Sequence, residues 1–318
     1  MLVEHPARVL CADCGSEYEV LEGIPDLRLE APAWIDFDED RRRARELIES
    51  TARDDVAAAV DFVFRRRDGW DEALVAHRVR QVLELPDRLR GELDEWLAPL
   101  GARDGRLLDV GCGPGTLLAA LSPSKRQTLG VDVSMEWLVV AQRMIRSVGG
   151  QPLLACALAE ALPLADGSVE TVAVLDVVEH VSDPAALVAE VNRIVARDGV
   201  VVLATPNRFS LASEPHVGVW GVGWVPLAFQ ERYVRWRSGK PYGFVRLLSR
   251  RELVRLFRRH SDISIRIGPA AVPGHELRVF PPRRALLANV YNRLVSRRLP
   301  ARLISPVSPF FHVVGRRR

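Results

Sequence analysis

The stretch Leu107–Leu118, LLDVGCGPGTLL, decides how this chain folds. Its apolar start, Arg106 to Val110, reads as a buried parallel strand with Asp109 near its end. Gly111, Gly113 and Gly115 follow at alternate positions, and Thr116 opens a helix. Glycines here permit a tight turn and the close approach of a ligand to the backbone. After the short helix comes a second strand, Thr128–Val133 (TLGVDV), with Asp132 near its end. An acid at that place can accept both hydroxyls of a ribose. The glycine spacing is not the G-x-G-x-x-G of dinucleotide-binding turns, and no Lys-Ser/Thr pair follows as in a phosphate-binding loop.

The run resembles motif I of class I S-adenosylmethionine-dependent methyltransferases, of the type 11 and ubiquinone-pathway O-methyltransferase kind. That resemblance implies an α/β fold: a Rossmann-like seven-stranded sheet of order 3-2-1-4-5-7-6. It implies S-adenosylmethionine as cofactor, with Asp132 on the ribose and Asp109 on the amino group. The turn residues Gly111, Cys112, Gly113 and Gly115 would line the cofactor, together with Val133, Leu158, Ala159 and Leu175. Relatives often carry an acid two residues before Glu160 to contact the adenine amino group. Leu158 stands there, so adenine would be held by backbone groups and apolar packing.

The rest of the sheet can be followed along the chain. Ser134–Val148 reads as a helix, Leu153–Cys156 as the third strand and Thr171–Leu175 as the fourth. Asp176, Glu179 and His180 follow as D-V-V-E-H-V, and on a helical turn these positions share a face. Ligands of open α/β sheets bind at the carboxyl ends of strands. His180 is therefore the candidate general base, because an imidazole titrates near neutrality, and Glu179 could orient it. His216 is the second candidate base, and a hydrogen-bonded structural histidine is the alternative for each. Asp176, Glu179 and His180 also resemble the E-x-x-E-H pattern of ubiquinone-pathway O-methyltransferases. They suit Mg²⁺, Mn²⁺ or Zn²⁺, although the expected reading needs no metal.

Pro184–Ala196 reads as a helix and Val200–Thr205 as the fifth strand. Thr205-Pro206-Asn207 does not match the Asn/Asp-Pro-Pro-aromatic tetrapeptide of many base and amide methyltransferases, which disfavours a nucleic-acid substrate. An insertion, residues 206–247, is rich in Trp, Tyr and Gly. His216, Trp220, Trp224, Tyr233 and Tyr242 could line an apolar acceptor pocket there, or pack on one another as a lid. Ser249 and Glu252 form a capping box for a further helix. Ser264–Ile267 reads as the sixth strand and Phe310–Arg318 as the antiparallel last one. The basic amphipathic segment 281–303 either covers a sheet edge or lies on a membrane surface.

Three regions are expected: a ribbon-like segment over residues 1–33, a helical region over 34–103 and the methyltransferase domain over 104–318. Cys11-x-x-Cys14-Gly15 resembles the knuckle of a small zinc ribbon of the Trm112 type. A structural zinc site needs four ligands. Cys112 and Cys156 belong to the methyltransferase pattern, and His5 supplies at most a third ligand. A degenerate ribbon without metal is the expectation, with zinc shared across a dimer as the alternative.

The 318 residues are 48% hydrophobic and 27% charged, which suits one large α/β domain with appendages. No apolar run reaches the length of a membrane span, the start lacks a signal-peptide layout, and four cysteines make no disulfide framework. A cytoplasmic protein is expected, or one peripheral to the inner face of the membrane. Charge is unevenly spread. Glu231 to Arg318 holds 21 Lys and Arg against 4 Asp and Glu, net +17, which leaves −14 in residues 1–230 of a chain at +3. Such a basic region meets an acidic surface of its own fold, or anionic lipid, a phosphorylated substrate or nucleic acid. The expected reaction is O-methylation of a small molecule: a phenol, quinone precursor, natural product or glycan sugar, free or lipid-linked. A nucleic-acid methyltransferase and a non-catalytic cofactor-binding scaffold are the alternatives.

Overall fold

The computed structural model describes residues 8–12, 14–32, 34–67, 70–97, 105–122, 126–243, 245–272, 277, 281–296 and 305–318. His5 lies outside these residues, as does part of the segment 281–303. Among the described residues the chain opens with a small antiparallel ribbon of β1 (Arg8–Leu10), β2 (Glu17–Leu21) and β3 (Ile24–Pro25). Cys11 and Cys14 sit in the β1–β2 turn, where Cys14 Sγ lies 3.2 Å from Ser16 Oγ. Among the described residues, no group of three or more metal-ligating side chains forms around them.

Helix α1 (Phe37–Ser50) begins at Asp36, whose side chain accepts from the amides of Asp38 and Glu39. The acids Asp38, Glu39 and Asp40 in its first turn suit the positive end of the helix dipole. Asp40, Ala44 and Leu47 form its buried stripe. Helix α2 (Val56–Arg65) is capped by Asp55, and α3 (Glu72–Leu97) follows.

The large sheet then unfolds in chain order: β4 (Leu107–Val110), α4 (Thr116–Leu121), β5 (Thr128–Asp132), α5 (Met135–Ser147), β6 (Leu154–Cys156) and β7 (Val169–Leu175). It continues with α6 (Pro184–Ile194), β8 (Val195–Pro206), α7 (Leu227–Ser238), α8 (Arg250–His260), β9 (Ile263–Pro269), α9 (Pro282–Ser296) and β10 (Phe310–Arg317). The spatial order is β6-β5-β4-β7-β8-β10-β9. Counted without the three ribbon strands, which belong to another sheet, this reads 3-2-1-4-5-7-6. β4 runs parallel to β5 with Asp109 beside Gly130, β5 runs parallel to β6, and β10 is antiparallel to both β8 and β9.

Two compact units emerge: residues 1–173 with 193–199, and residues 174–192 with 200–318. In the first, α5 is buried along most of its length, and the ribbon meets the edge strand through a parallel bridge between Asp26 and Cys156. In the second, Asn207 fixes the chain after β8. Its Nδ2 donates to the carbonyls of Pro306 and Ser308, and its Oδ1 accepts from Phe209 N. Among the helices the structure departs from the sequence reading in two places. α6 stops at Ile194 because Val195 already enters β8. The insertion contains α7, which buries only Gln230 and Val234 and so shows no apolar stripe in the sequence.

Candidate active site

In the first unit the site is built on the β4–α4 turn. Gly111, Gly113 and Gly115 have φ of 70°, 48° and 73°, values that side-chain-bearing residues rarely adopt. The amides of Gly111 and Cys112 donate to Val131 O at 2.7 and 3.1 Å, which binds the turn to β5. A Cβ on Gly115 would lie 2.8 Å from Ala141 Cβ, so glycine is needed for α4 to approach α5. A Cβ on Gly113 would meet nothing within 4 Å: it would project into open space.

Asp132 ends β5 beside this space. One carboxylate oxygen accepts from Gly113 N at 2.8 Å and the other from Ser134 N at 2.9 Å. Each oxygen keeps a lone pair, so the carboxylate can still accept two ligand hydroxyls. Burial raises the pKa of Asp132 against the opposing pull of those amides. Asp109 is more deeply buried, and burial, reinforced by the charge of Asp132, pushes its pKa up to about 8. Val133, Leu158 and Ala159 are partly buried, Cys112 is buried, and Ala157 N donates to Asp132 O at 3.0 Å. This donor set fits a nucleoside with an attached amino acid: an acid for vicinal hydroxyls, a glycine that leaves room, and a second acid for an ammonium.

In the second unit the segment after β7 is a turn rather than a helical face. Leu175 closes the strand, and Asp176 has φ 56° and donates its amide to Ala204 O. Asp176 is exposed, whereas Glu179 is 1% exposed. Glu179 Oε2 accepts from Thr205 Oγ1 at 3.0 Å, while its buried Oε1 has no hydrogen-bond partner among the described residues. Burial, with the charge of Asp176, raises the Glu179 pKa to about 7.

His180 and His216, 36 residues apart, meet edge to face with their Nε2 atoms 3.0 Å apart. Behind His216 stands Glu214, which the sequence reading missed. Its Oε1 bonds His216 Nδ1, and its Oε2 accepts from the amides of His216 and Val217, both at 2.9 Å. Burial disfavours a charged His216, but Glu214, then Glu179 and Asp176, outweigh it and raise the pKa. Ligand atoms of Glu179, His180 and His216 lie within 4.8 Å of one another, a set that could hold a divalent ion. His216, not Asp176, completes that grouping.

The insertion packs mainly on itself. Val219, Val222, Val234 and Tyr242 form a small core. Among the described residues the buried Tyr242 hydroxyl has no hydrogen-bond partner, and burial, with the charges of Glu214 and Glu179, raises its pKa. Trp220 and Trp224 are more than half exposed, and their indole N–H groups donate to the carbonyls of Leu211 and Ser210. Tyr233 donates to Trp220 O.

Residues 108–203 match the family profile described as a methyltransferase domain. Over these residues the chain carries a methyltransferase domain. Among similar curated proteins is a ubiquinone biosynthesis O-methyltransferase of Paracidovorax citrulli, 34% identical over 164 residues. The match covers 50% of this chain and 65% of that one. An uncharacterized 37.1 kDa protein in transposon TN4556 of Streptomyces fradiae is 37% identical over 136 residues, 41% of this chain and 38% of that one. The chain thus spans less than two thirds of the length of these relatives. A solved phosphoethanolamine N-methyltransferase 2 from Haemonchus contortus, in complex with S-adenosyl-L-methionine, is 18% identical. It covers 81% of this chain and 60% of that one, at a TM-score of 0.49. The methyltransferase domain as matched holds the glycine turn, Asp132, Glu179 and His180; Glu214 and His216 lie beyond residue 203.

Proposed function

We propose that this chain is an O-methyltransferase acting on a small-molecule hydroxyl, with S-adenosylmethionine as methyl donor. The observation that carries the reading is the chain of groups Glu214, His216 and His180. When bound, S-adenosylmethionine supplies an electrophilic methyl on a sulfonium. Asp132 would accept the ribose hydroxyls and Asp109 would hold the ammonium, while Gly113 leaves space for the nucleoside.

The acceptor hydroxyl gives its proton to the Nδ1 of His180 as the proton on His180 Nε2 passes to Nε2 of His216. There Glu214 stabilises the resulting imidazolium. A carboxylate behind an imidazole fixes its tautomer and raises its basicity. Glu179, with a carboxylate oxygen within 4.8 Å of a ring nitrogen of each histidine, keeps the surroundings of the pair polar. The ubiquinone-pathway names of similar proteins support a phenolic or quinone-precursor acceptor.

His180→Ala should lower turnover about 10²–10⁴-fold with little change in cofactor affinity. Because His216 must be neutral to receive the proton, the acidic limb of the rate profile should lie above the usual histidine value. Glu214→Gln should move that limb to lower pH, since it removes the group that raises the His216 pKa. Near-normal turnover in His180→Ala would reject the relay. Activity abolished by a chelator and restored by a divalent ion would assign Glu179, His180 and His216 to a metal instead.

Trp236 of the insertion is exposed, as are Leu286 and Leu287 of α9, within the region of net +17, and the exposed Leu211 and Phe229 precede that region in the insertion. Aromatic and aliphatic side chains among arginines suit an anionic membrane interface. This favours an acceptor carried at a lipid surface over one free in solution.

A further inference from the structure

Two side chains outside the methyltransferase motifs meet behind the strand end that carries Asp132. Arg28 lies just beyond the ribbon, and its side chain is wholly buried. Its Nε and Nη2 donate to Asp26 at 2.8 and 2.6 Å. Its Nη1 donates both to Asp40 Oδ2 at 2.6 Å and to the backbone carbonyl of Val133 at 2.8 Å, and the Phe37 ring lies 4.2 Å from the guanidinium carbon. Asp40, in the first turn of α1, accepts in addition from Ser134 Oγ and Met135 N, each at 2.8 Å.

The geometry connects directly to the ribose acid. Residues 133–135 are gripped on one side by Arg28 and Asp40. On the other side Ser134 N holds an oxygen of Asp132. A buried ion pair is an expensive way to stabilise a fold, since apolar side chains of similar volume serve as well or better. What a planar guanidinium and a carboxylate add is direction: fixed donor and acceptor vectors on particular backbone groups. Here those groups are the carbonyl and amides next to Asp132.

We propose that Arg28 and Asp40 are positioning residues for cofactor binding. They preset residues 133–135 so that the free lone pairs of Asp132 face the ribose hydroxyls before the ligand arrives. The ribbon and α1 thus act on the cofactor without touching it. The inference rests on the reading of Asp132 as the ribose-binding acid.

Calorimetric titration of the full chain with S-adenosylhomocysteine tests it, using Arg28→Met, Asp40→Asn, Asp132→Asn and the two double variants with Asp132→Asn. Each single variant should weaken binding about 10–100-fold, and each double variant should bind no worse than about its weaker-binding single. Such non-additivity is what positioning through Asp132 requires, whereas a purely structural role would not move affinity in a chain that remains folded by circular dichroism. Affinities of Arg28→Met and Asp40→Asn within about twofold of wild type, or fully additive double variants, would overturn the inference. Should Arg28→Met fail to fold, the nearly isosteric Asp40→Asn decides alone. Wild type that does not bind the ligand would overturn the cofactor reading itself, and normal binding by Asp132→Asn would overturn the role given to that acid.

Discussion

Asp109 keeps its proton to about pH 8, because burial and the neighbouring Asp132 both disfavour its carboxylate. In an unfolded chain the same acid ionises near 4. Between those values the folded protein binds more protons, so this group's contribution to stability falls as pH rises through that window. An ammonium placed against Asp109 reverses the preference by favouring the ionised acid. Cofactor affinity should therefore rise from pH 6 towards 8, by up to about tenfold per unit, with proton release on binding. It should fall again above about pH 8, where an α-amino group itself loses its proton. Titrations in buffers of different ionisation enthalpy measure the released proton, and Asp109→Asn should abolish the rising limb. A wild-type affinity flat from pH 6 to 8 would contradict the role given to Asp109. Residues of this kind were legible in the sequence because each ends a strand of a recognisable pattern. Arg28, Asp40 and Glu214 were not: Arg28 and Asp40 act on residues 133–135, which only the fold brings near, and Glu214 gains its meaning only when its neighbour His216 meets His180.

The β4–α4 turn shows how neighbouring positions of one element divide their tasks. At Gly115 an added methyl meets Ala141 at 2.8 Å in a left-handed backbone. Strain and overpacking together should destabilise Gly115→Ala by about 2–4 kcal/mol in urea unfolding. At Gly113 an added methyl meets no protein atom. Gly113→Ala should cost only about 1–2 kcal/mol of backbone strain yet weaken cofactor binding by a larger factor than Gly115→Ala. Equal effects of the two variants on both measurements would refute this division. The same turn, the strand ends and the Ser249–Glu252 capping box could be read from the sequence, because local chemistry dictates them. Helix α7 could not. It buries two residues, so the hydrophobic period that announces a helix is missing. Nor could the turn at Asp176 to His180, where a left-handed residue replaces the expected helical face.

At the scale of the whole molecule, charge is the feature most readily tested. No helix among the described residues is long and apolar enough to cross a membrane. A region of net +17 with exposed tryptophan and leucine should nevertheless bind phosphatidylglycerol vesicles at low salt and release them at high salt. Trp236→Ser with Leu287→Ser should reduce that binding while leaving salt sensitivity in place. Binding to RNA with no binding to vesicles would assign the surface to nucleic acid instead. The ribbon's place against β6 has a consequence of another kind. β6 is an outer strand of the seven-stranded sheet, only three residues long, and a bare outer strand is a template for pairing with another molecule. Leu27 N donates to Cys156 O at 2.7 Å, occupying an acceptor that a stranger's backbone would otherwise seek. The opposite outer strand, β9, ends at Pro269, which has no amide to offer. Removal of residues 1–33 should then show first as self-association at the β6 side: turbidity and thioflavin binding at concentrations where the full chain stays clear. The ribbon, on this view, keeps copies of the protein apart.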